Sequence, residues 1–376
     1  MPRSSSPPIG LYVHVPFCVS KCAYCDFASH PGREADMPRY VDAVVREIVR
    51  RSEETGHPQA DTIFFGGGTP SILGAEYIVR ILDALFDSFL IEEDAEITCE
   101  CNPGTVQLSW AHALHKAGVN RLSLGAQARQ SRLLRLLGRI HDWEQVVASV
   151  EIARAAGFEN INLDLMFGLP SQSARDWRET LDAAIALAPT HLSCYGLIVE
   201  EGTPISRDMA AGKLSLPDEE TEREMYELAR QTLAAHGFHQ YEISNFALEG
   251  RECRHNVGCW TRVPYLGFGC AAHSFFDECR ASNPANLDAY LSGEAPKFER
   301  ITKEEARFES LMLGLRMTAG VKDADFARMH GLTIRKAFSE KLEQPIADGL
   351  LQWHEGSLRL TRLGMDLQNA VLVDLM

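Results

Sequence analysis

The chain has 376 residues, 45% hydrophobic and 24% charged, more than one ordinary core needs and suited to a large α/β domain with a smaller companion. Its 37 basic and 52 acidic residues leave a net charge of −15, which speaks against a broad nucleic-acid surface, because phosphate binding draws on clustered Lys and Arg. No apolar run reaches the roughly 20 residues of a membrane helix, the opening MPRSSSPPIG has no apolar signal core, and the ten cysteines are expected as reduced thiols in a cytoplasmic protein without transmembrane segments.

In chain order, IGLYVHV (9–15), TIFFG (62–66), AEITCEC (95–101), NRLSLG (120–125), NINLDLMFG (160–168) and HLSCYGLI (191–198) read as strands. Residues 38–53, 74–88, 109–117, 143–156, 173–186 and 218–235 carry apolar residues at helical spacing. Six βα units in series predict a parallel sheet, curled into a partial (β/α)6 TIM-like barrel, with its chemistry at the C-terminal strand ends. Beyond about residue 245 the rhythm changes. A Gly- and aromatic-rich extension leads to a helix over 303–318 and a hairpin, LLQWHEGSLRLT, turning at Glu355-Gly356. The tail thus reads as a smaller α+β winged-helix-like domain, either a lid or a docking surface at the barrel mouth. The expected boundaries are 1–245, 246–300 and 301–376. No basic recognition helix stands out in the tail, and no nucleic-acid partner is expected.

The loop after the first strand, HVPFCVSKCAYCDF, sets Cys18, Cys22 and Cys25 at the spacing C-x3-C-x2-C. Thiolates are soft ligands for zinc or for iron–sulfur clusters. Zinc would take a fourth ligand such as His14 or Asp26, whereas a cubane cluster on three thiols leaves one iron open to a small molecule. Farther on, FFGGGTPS (64–71) puts a glycine run at a strand end, where backbone groups can approach a ligand closely.

FCVSKCAYCDF resembles the signature loop of radical S-adenosylmethionine (SAM) proteins, whose open iron binds the methionine amino and carboxyl groups of SAM. The resemblance implies a [4Fe-4S] cluster on Cys18, Cys22 and Cys25. It also implies SAM contacts from Tyr12, Tyr24, Gly67, Gly68, Thr69, Glu100, Gln127, Arg139 and Asp164, with Tyr24 against adenine and Arg139 suited to the methionine carboxylate.

Over nearly its whole length the chain is most similar to the coproporphyrinogen dehydrogenase-like group, through YVHVPFC, GGGTPS, NRLSLGAQ, LLGRIH, DLMFGLP and YLGFGCAAHS. Two functions divide that group: oxidative decarboxylation of a porphyrinogen, and a chaperone role that binds heme and delivers it to acceptor proteins, some in the respiratory chain. The dehydrogenases carry a further cysteine where this chain has Phe27, and a longer segment ahead of the cluster. Chaperone members carry H-N-x-x-Y-W, matched here by His255, Asn256, Cys259 and Trp260 in HNVGCW. The resemblance therefore implies heme binding with His255 as axial ligand, Trp260 packed on the macrocycle, and contact with membranes only through partners. Cys259 departs from the pattern's tyrosine. A thiol lacks the phenol's stacking face, yet a thiolate can itself ligate heme iron, so the second ligand stays open.

Overall fold

The computed structural model describes residues 7–376. Six parallel strands, β1 (Ile9–Val15), β2 (Gln59–Gly67), β3 (Leu90–Cys101), β4 (Arg121–Gln127), β5 (Asn160–Phe167) and β6 (His191–Gly196), lie side by side in chain order. Strand order never reverses along this run, as a curled barrel requires and a doubly wound sheet does not. The helices α1 (Met37–Thr55), α2 (Ala75–Ser88), α3 (Leu108–Lys116), α4 (Ser131–Leu136), α5 (Trp143–Ala155), α6 (Ala174–Ala186), α7 (Pro204–Ala210) and α8 (Glu219–Ala235) intervene or follow. Short α4 and α7 escape a periodicity reading because neither is long enough to show two turns of a stripe.

Period-2 alternation sorts each strand into two faces. Leu11, Val13 and Val15 of β1 and Ile63 and Phe65 of β2 pack outward with Tyr40, Val44 and Ile48, which recur every fourth residue on α1. Capping boxes at Asp142/Gln145 and Ser173/Asp176 fix where α5 and α6 begin. The inward positions are largely polar. Tyr12 stands level with Phe64, Phe64 with Thr98, Thr98 with Arg121, and Arg121 with Asn160. One layer nearer the C-terminal ends, Glu100 is level with Ser123, Ser123 with Asn162, and Asn162 with His191. Ordinary barrel interiors are filled with Val, Ile and Leu, so this shaft is built to hold hydrogen bonds.

The sheet continues past both edges of this run. After β6 come antiparallel β8 (Asn245–Ala247) and β7 (His239–Gln240); after a short helix α9 (Arg254–Trp260), β9 (Tyr265–Phe268) pairs parallel to β1 and is followed outward by β10 (His273–Phe276), β11 (Cys279–Ser282) and β12 (Lys297–Arg300). The C-terminal domain has its own core of Leu311, Phe326, Ile334, Leu351, Leu358 and Val371. Its sheet joins β13 (Val321–Lys322), β15 (Ser357–Leu360) and β14 (Leu351–His354), in that order. Glu355 and Gly356, at φ 48° and 79°, make the tight turn between β14 and β15. The helix expected over 303–318 ends at Gly314, because Met317 instead pairs with Glu242 of the barrel and Arg316 forms an ion pair with the same carboxylate at 3.3 Å.

Candidate functional site

At the C-terminal strand ends, the loop after β1 folds back over the glycine run after β2. Gly68 N–H donates to Val15 O at 2.8 Å and Thr69 N–H to Phe17 O at 2.8 Å, so the two loops form one unit. A Cβ at Gly68 would lie 2.6 Å from Phe17 O, 2.8 Å from Val15 O and 3.1 Å from Cys18 Sγ; only glycine fits. On the far side, Ala23 N–H donates to Leu137 O at 2.9 Å, just past α4, and Tyr24 packs on the apolar cluster of Leu133, Leu137 and Leu197.

Between these loops lies a cavity of about 410 Å³. Cys18, Cys22 and Cys25 line it together with Tyr24, Gly67, Gly68, Thr69, Glu100, Gln127, Arg139 and Asp164. The fold thus brings to one wall every residue expected there except Tyr12. Tyr12 sits lower in the shaft, its ring nearly parallel to those of Phe64 and His255 at centroid distances of 6.3 Å, and its hydroxyl is 3.0 Å from His14 Nδ1.

Arg139 ties the wall together, donating to Asn102 Oδ1 and Gly125 O at 2.7 Å each and to Cys22 Sγ at 3.5 Å. Glu100 accepts from Gly67 N–H at 3.2 Å, and Asp164 accepts from Ser123 Oγ at 3.0 Å and Asn162 Nδ2 at 2.9 Å. Burial first, and the neighbouring Asp164 second, push the Glu100 carboxyl up to about 8. Burial also raises Asp164 and the Cys18 and Cys25 thiols. The wall thus gathers two buried carboxyls and the three thiols of the cysteine loop, groups that a bound cation and a metal centre would hold in their charged forms. Asn102 escaped the sequence reading, although it stands two residues after Glu100 in CECNPG; it also donates to Thr69 Oγ1 at 2.9 Å.

These residues fit the cofactors that the loop suggested. The three thiols share a cavity wall with backbone that no Cβ obstructs, and carboxylates face the same space. His14 does not complete a zinc site: its Nε2 is 2.9 Å from Ala28 O and its Nδ1 is held by Tyr12. Among the described residues no three His, Cys, Asp or Glu side chains form a single-ion site, a statement that covers Cys253, His255 and Cys259 as well.

The opposite end of the barrel holds a second cavity, of about 900 Å³. Gly10, Thr62, Glu96, Asn120 and Asn160, at the N-terminal parts of the strands, meet His255 and Cys259 of α9 there, and Tyr241, Arg251 and Met317 contribute from later segments. HNVGCW is helical, so residues four apart share a face. His255 and Cys259 line the cavity. Asn256 and Trp260, expected with them at the ligand, fall on the neighbouring face and are not brought to this wall; the Arg316 guanidinium lies 4.3 Å over the Trp260 ring.

The His255 ring lies against Phe64 at 5.1 Å between centroids, and Nδ1 is 2.9 Å from Thr62 Oγ1. Burial, then the field of Arg121, lowers its pKa to about 4, so the ring is neutral at physiological pH. With Nδ1–H donated to Thr62, the lone pair is on Nε2, the arrangement of a metal-ligating histidine oriented by its partner. Burial pushes the Cys259 thiol up to about 11. The C-terminal domain borders this lower cavity through Met317, Thr318 and Ala319 and contributes no residue to the lining of the upper one at the cysteines.

Residues 12–184 match the family model of the radical SAM superfamily, and residues 301–367 the model of the HemN C-terminal domain. The solved structure of coproporphyrinogen III oxidase (HemN) from Escherichia coli, described as a radical SAM enzyme, superposes with a TM-score of 0.85 at 25% identity, covering 100% of this chain and 91% of that one. Barrel and thiol-lined mouth are those of the radical SAM class, which brings a [4Fe-4S] cluster and SAM as cofactors. The heme chaperone HemW of Bacillus subtilis (strain 168) is 38% identical over 96% of this chain and 97% of its own length, and those of Mycobacterium tuberculosis (strain ATCC 25618 / H37Rv) and Escherichia coli (strain K12) are 35% and 33% identical over 97% of this chain, covering 94% and 97% of their own. This chain belongs to the HemW family of radical SAM proteins.

Proposed function

We propose that this chain is a heme chaperone, carrying a [4Fe-4S] cluster and SAM at one end of its barrel and heme at the other, and passing heme to acceptor proteins. The observation that carries this reading is His255: a neutral imidazole, fixed by Thr62 through Nδ1, on the wall of a cavity of about 900 Å³. That volume is at the upper end for ligand sites and suits a macrocycle. Arg251, which makes no ion pair among the described residues, lines the same cavity and suits a propionate.

At the upper end, Cys18, Cys22 and Cys25 hold the cluster, and the SAM contacts come from Tyr24, Gly67, Gly68, Thr69, Glu100, Gln127, Arg139 and Asp164. Tyr12 acts on that site through His14 and not by touching the ligand. The cluster supplies an electron that can split the sulfonium's carbon–sulfur bond; the chain's part is to place the ligand and to keep water from it. Residues 1–245 serve as the cofactor barrel, 246–300 as the extension with the heme motif, and 301–376 as the companion beside the heme. Respiratory acceptors lie at membranes, and contact there is made through the partner protein.

Porphyrinogen oxidation is the competing reading, favoured by the likeness to HemN. Against it stands Phe27, 66% exposed at the cavity wall, where the dehydrogenases carry a cysteine. Titration of the protein with heme is expected to give a saturable Soret shift that His255→Ala abolishes. No saturable shift in the wild type would remove this reading, and decarboxylation of coproporphyrinogen with SAM and reductant under anaerobic conditions would put the competitor in its place.

A further inference from the structure

Between the two cavities the shaft holds an unbroken line of hydrogen bonds. Asn162 Nδ2 donates to Asp164 Oδ1 at 2.9 Å, His191 Nδ1 is 2.6 Å from Asn162 Oδ1, His191 Nε2 is 2.8 Å from the Tyr241 hydroxyl, and Cys253 N–H donates to that hydroxyl at 3.3 Å. His191 is fully buried and Tyr241 is 6% exposed. Asp164 is on the wall of the upper cavity; Tyr241 is on the wall of the lower one. Cys253 is the N-cap of α9, two residues before His255.

An ionised Asp164 can only accept, which turns the Asn162 amide NH2 toward it and the amide oxygen toward His191. Neutral His191 must then carry its proton on Nδ1 and accept on Nε2. Tyr241 consequently donates its O–H to His191 and keeps its oxygen for Cys253 N–H. Every donor in the line points toward Asp164, and bonds aligned in this way strengthen one another. With a neutral Asp164 the line can run the other way as far as Tyr241 once the Asn162 amide turns, exchanging its bonds to Ser123 and Ser193 as well: the carboxyl donates to the amide oxygen, the amide NH2 to His191 Nδ1, and His191 Nε2–H to the Tyr241 oxygen, which it then shares with Cys253 N–H. In the first direction the Tyr241 oxygen accepts from Cys253 N–H alone; in the second it is divided with His191. Glu96 completes that anchor, accepting from the backbone N–H of Arg254 at 3.2 Å and of His255 at 3.3 Å.

We propose that this line makes the two cavities linked sites, so that SAM at Asp164 and heme at His255 bind with positive cooperativity through Asn162, His191 and Tyr241. It rests on the reading that places those two ligands at those two ends. A cationic ligand beside Asp164 selects the direction in which Tyr241 pins α9 and orients His255 for iron; by linkage, heme favours the cation equally. Tyr241 and His191 are positioning residues, touching neither ligand's reacting atoms.

The test uses the cluster-reconstituted protein. Heme is titrated with and without saturating SAM, and amide hydrogen exchange at Cys253–His255 is followed on adding SAM without heme. In the wild type, SAM is expected to lower the heme Kd about five-fold or more and to slow exchange at those amides. Tyr241→Phe, which keeps the ring and removes the hydroxyl, is read by the ratio of its own heme Kd with and without SAM, whatever its Kd for heme alone, and is expected to lose both effects. A wild-type heme Kd indifferent to SAM overturns the proposal, as does full coupling in Tyr241→Phe. Should Tyr241→Phe not fold, the two wild-type readouts decide. Should heme not bind at all, the chaperone reading fails by itself, and unchanged exchange would then sink the link independently.

Discussion

Gly68 and Glu100 show how single residues set the upper site. A methyl group at Gly68 would press on two carbonyl oxygens and Cys18 Sγ, and backbone on that side cannot yield without moving the cysteine loop. Gly68→Ala is expected to fold, lose most of its cluster and show iron and sulfide contents well under half those of wild type, measured after anaerobic reconstitution. Glu100 governs pH dependence. Its carboxyl, raised to about 8 by burial and Asp164, is neutral below that pH, so a cation can pair with it only after a proton leaves. SAM affinity should therefore climb with pH below about 8, by up to about tenfold per unit, and level off above it. Equilibrium dialysis between pH 6.5 and 9 measures this (the limits being about 1.5 and 1 units from that pKa), and Glu100→Gln should make the curve shallower, leaving the part that Asp164 carries. An affinity that falls as pH rises would contradict the assignment.

Helix α9 bears, at the level of an element, on the heme ligation that its residues left open. The sequence HNVGCW reads as a motif of four ligand-facing residues, but its helical path puts only His255 and Cys259 at the cavity. Two side chains on one helix face approach a flat macrocycle from the same side, so they cannot be its two opposed axial ligands. The thiol, held protonated by burial up to about 11, is also a poor ligand at neutral pH. Cys259→Ser is accordingly expected to leave the ligation state of bound heme unchanged in its absorption and electron paramagnetic resonance spectra, and its Kd within about three-fold of wild type, less than about 1 kcal/mol. A thiolate-type spectrum lost in Cys259→Ser would overturn that view. The helix itself was not legible, since seven residues containing glycine and no full apolar stripe give no periodic signal.

Across the whole molecule, the six core strands and the long helices could be read because each carries a period-2 or 3.6 pattern over several repeats; β1 was read to its ends. The cysteine loop and glycine run were equally legible, being local in sequence. What could not be read was distance through the barrel: nothing local says that Thr62 meets His255, that His191 meets Tyr241, or that the C-terminal domain borders the lower cavity, because those contacts join segments up to 193 residues apart. Tyr12 illustrates the limit, since its place one layer below the cofactor wall depends on the register of β1 against β2. In the proposed arrangement, therefore, cluster and heme occupy opposite ends of one shaft. That arrangement is tested most directly by measuring cluster iron and bound heme together, on anaerobically reconstituted wild type, Cys22→Ala and His255→Ala. The expected result is about four cluster irons and one heme in the wild type, heme retained without cluster in Cys22→Ala, and cluster retained without heme in His255→Ala. Loss of both groups from either folded variant would contradict it.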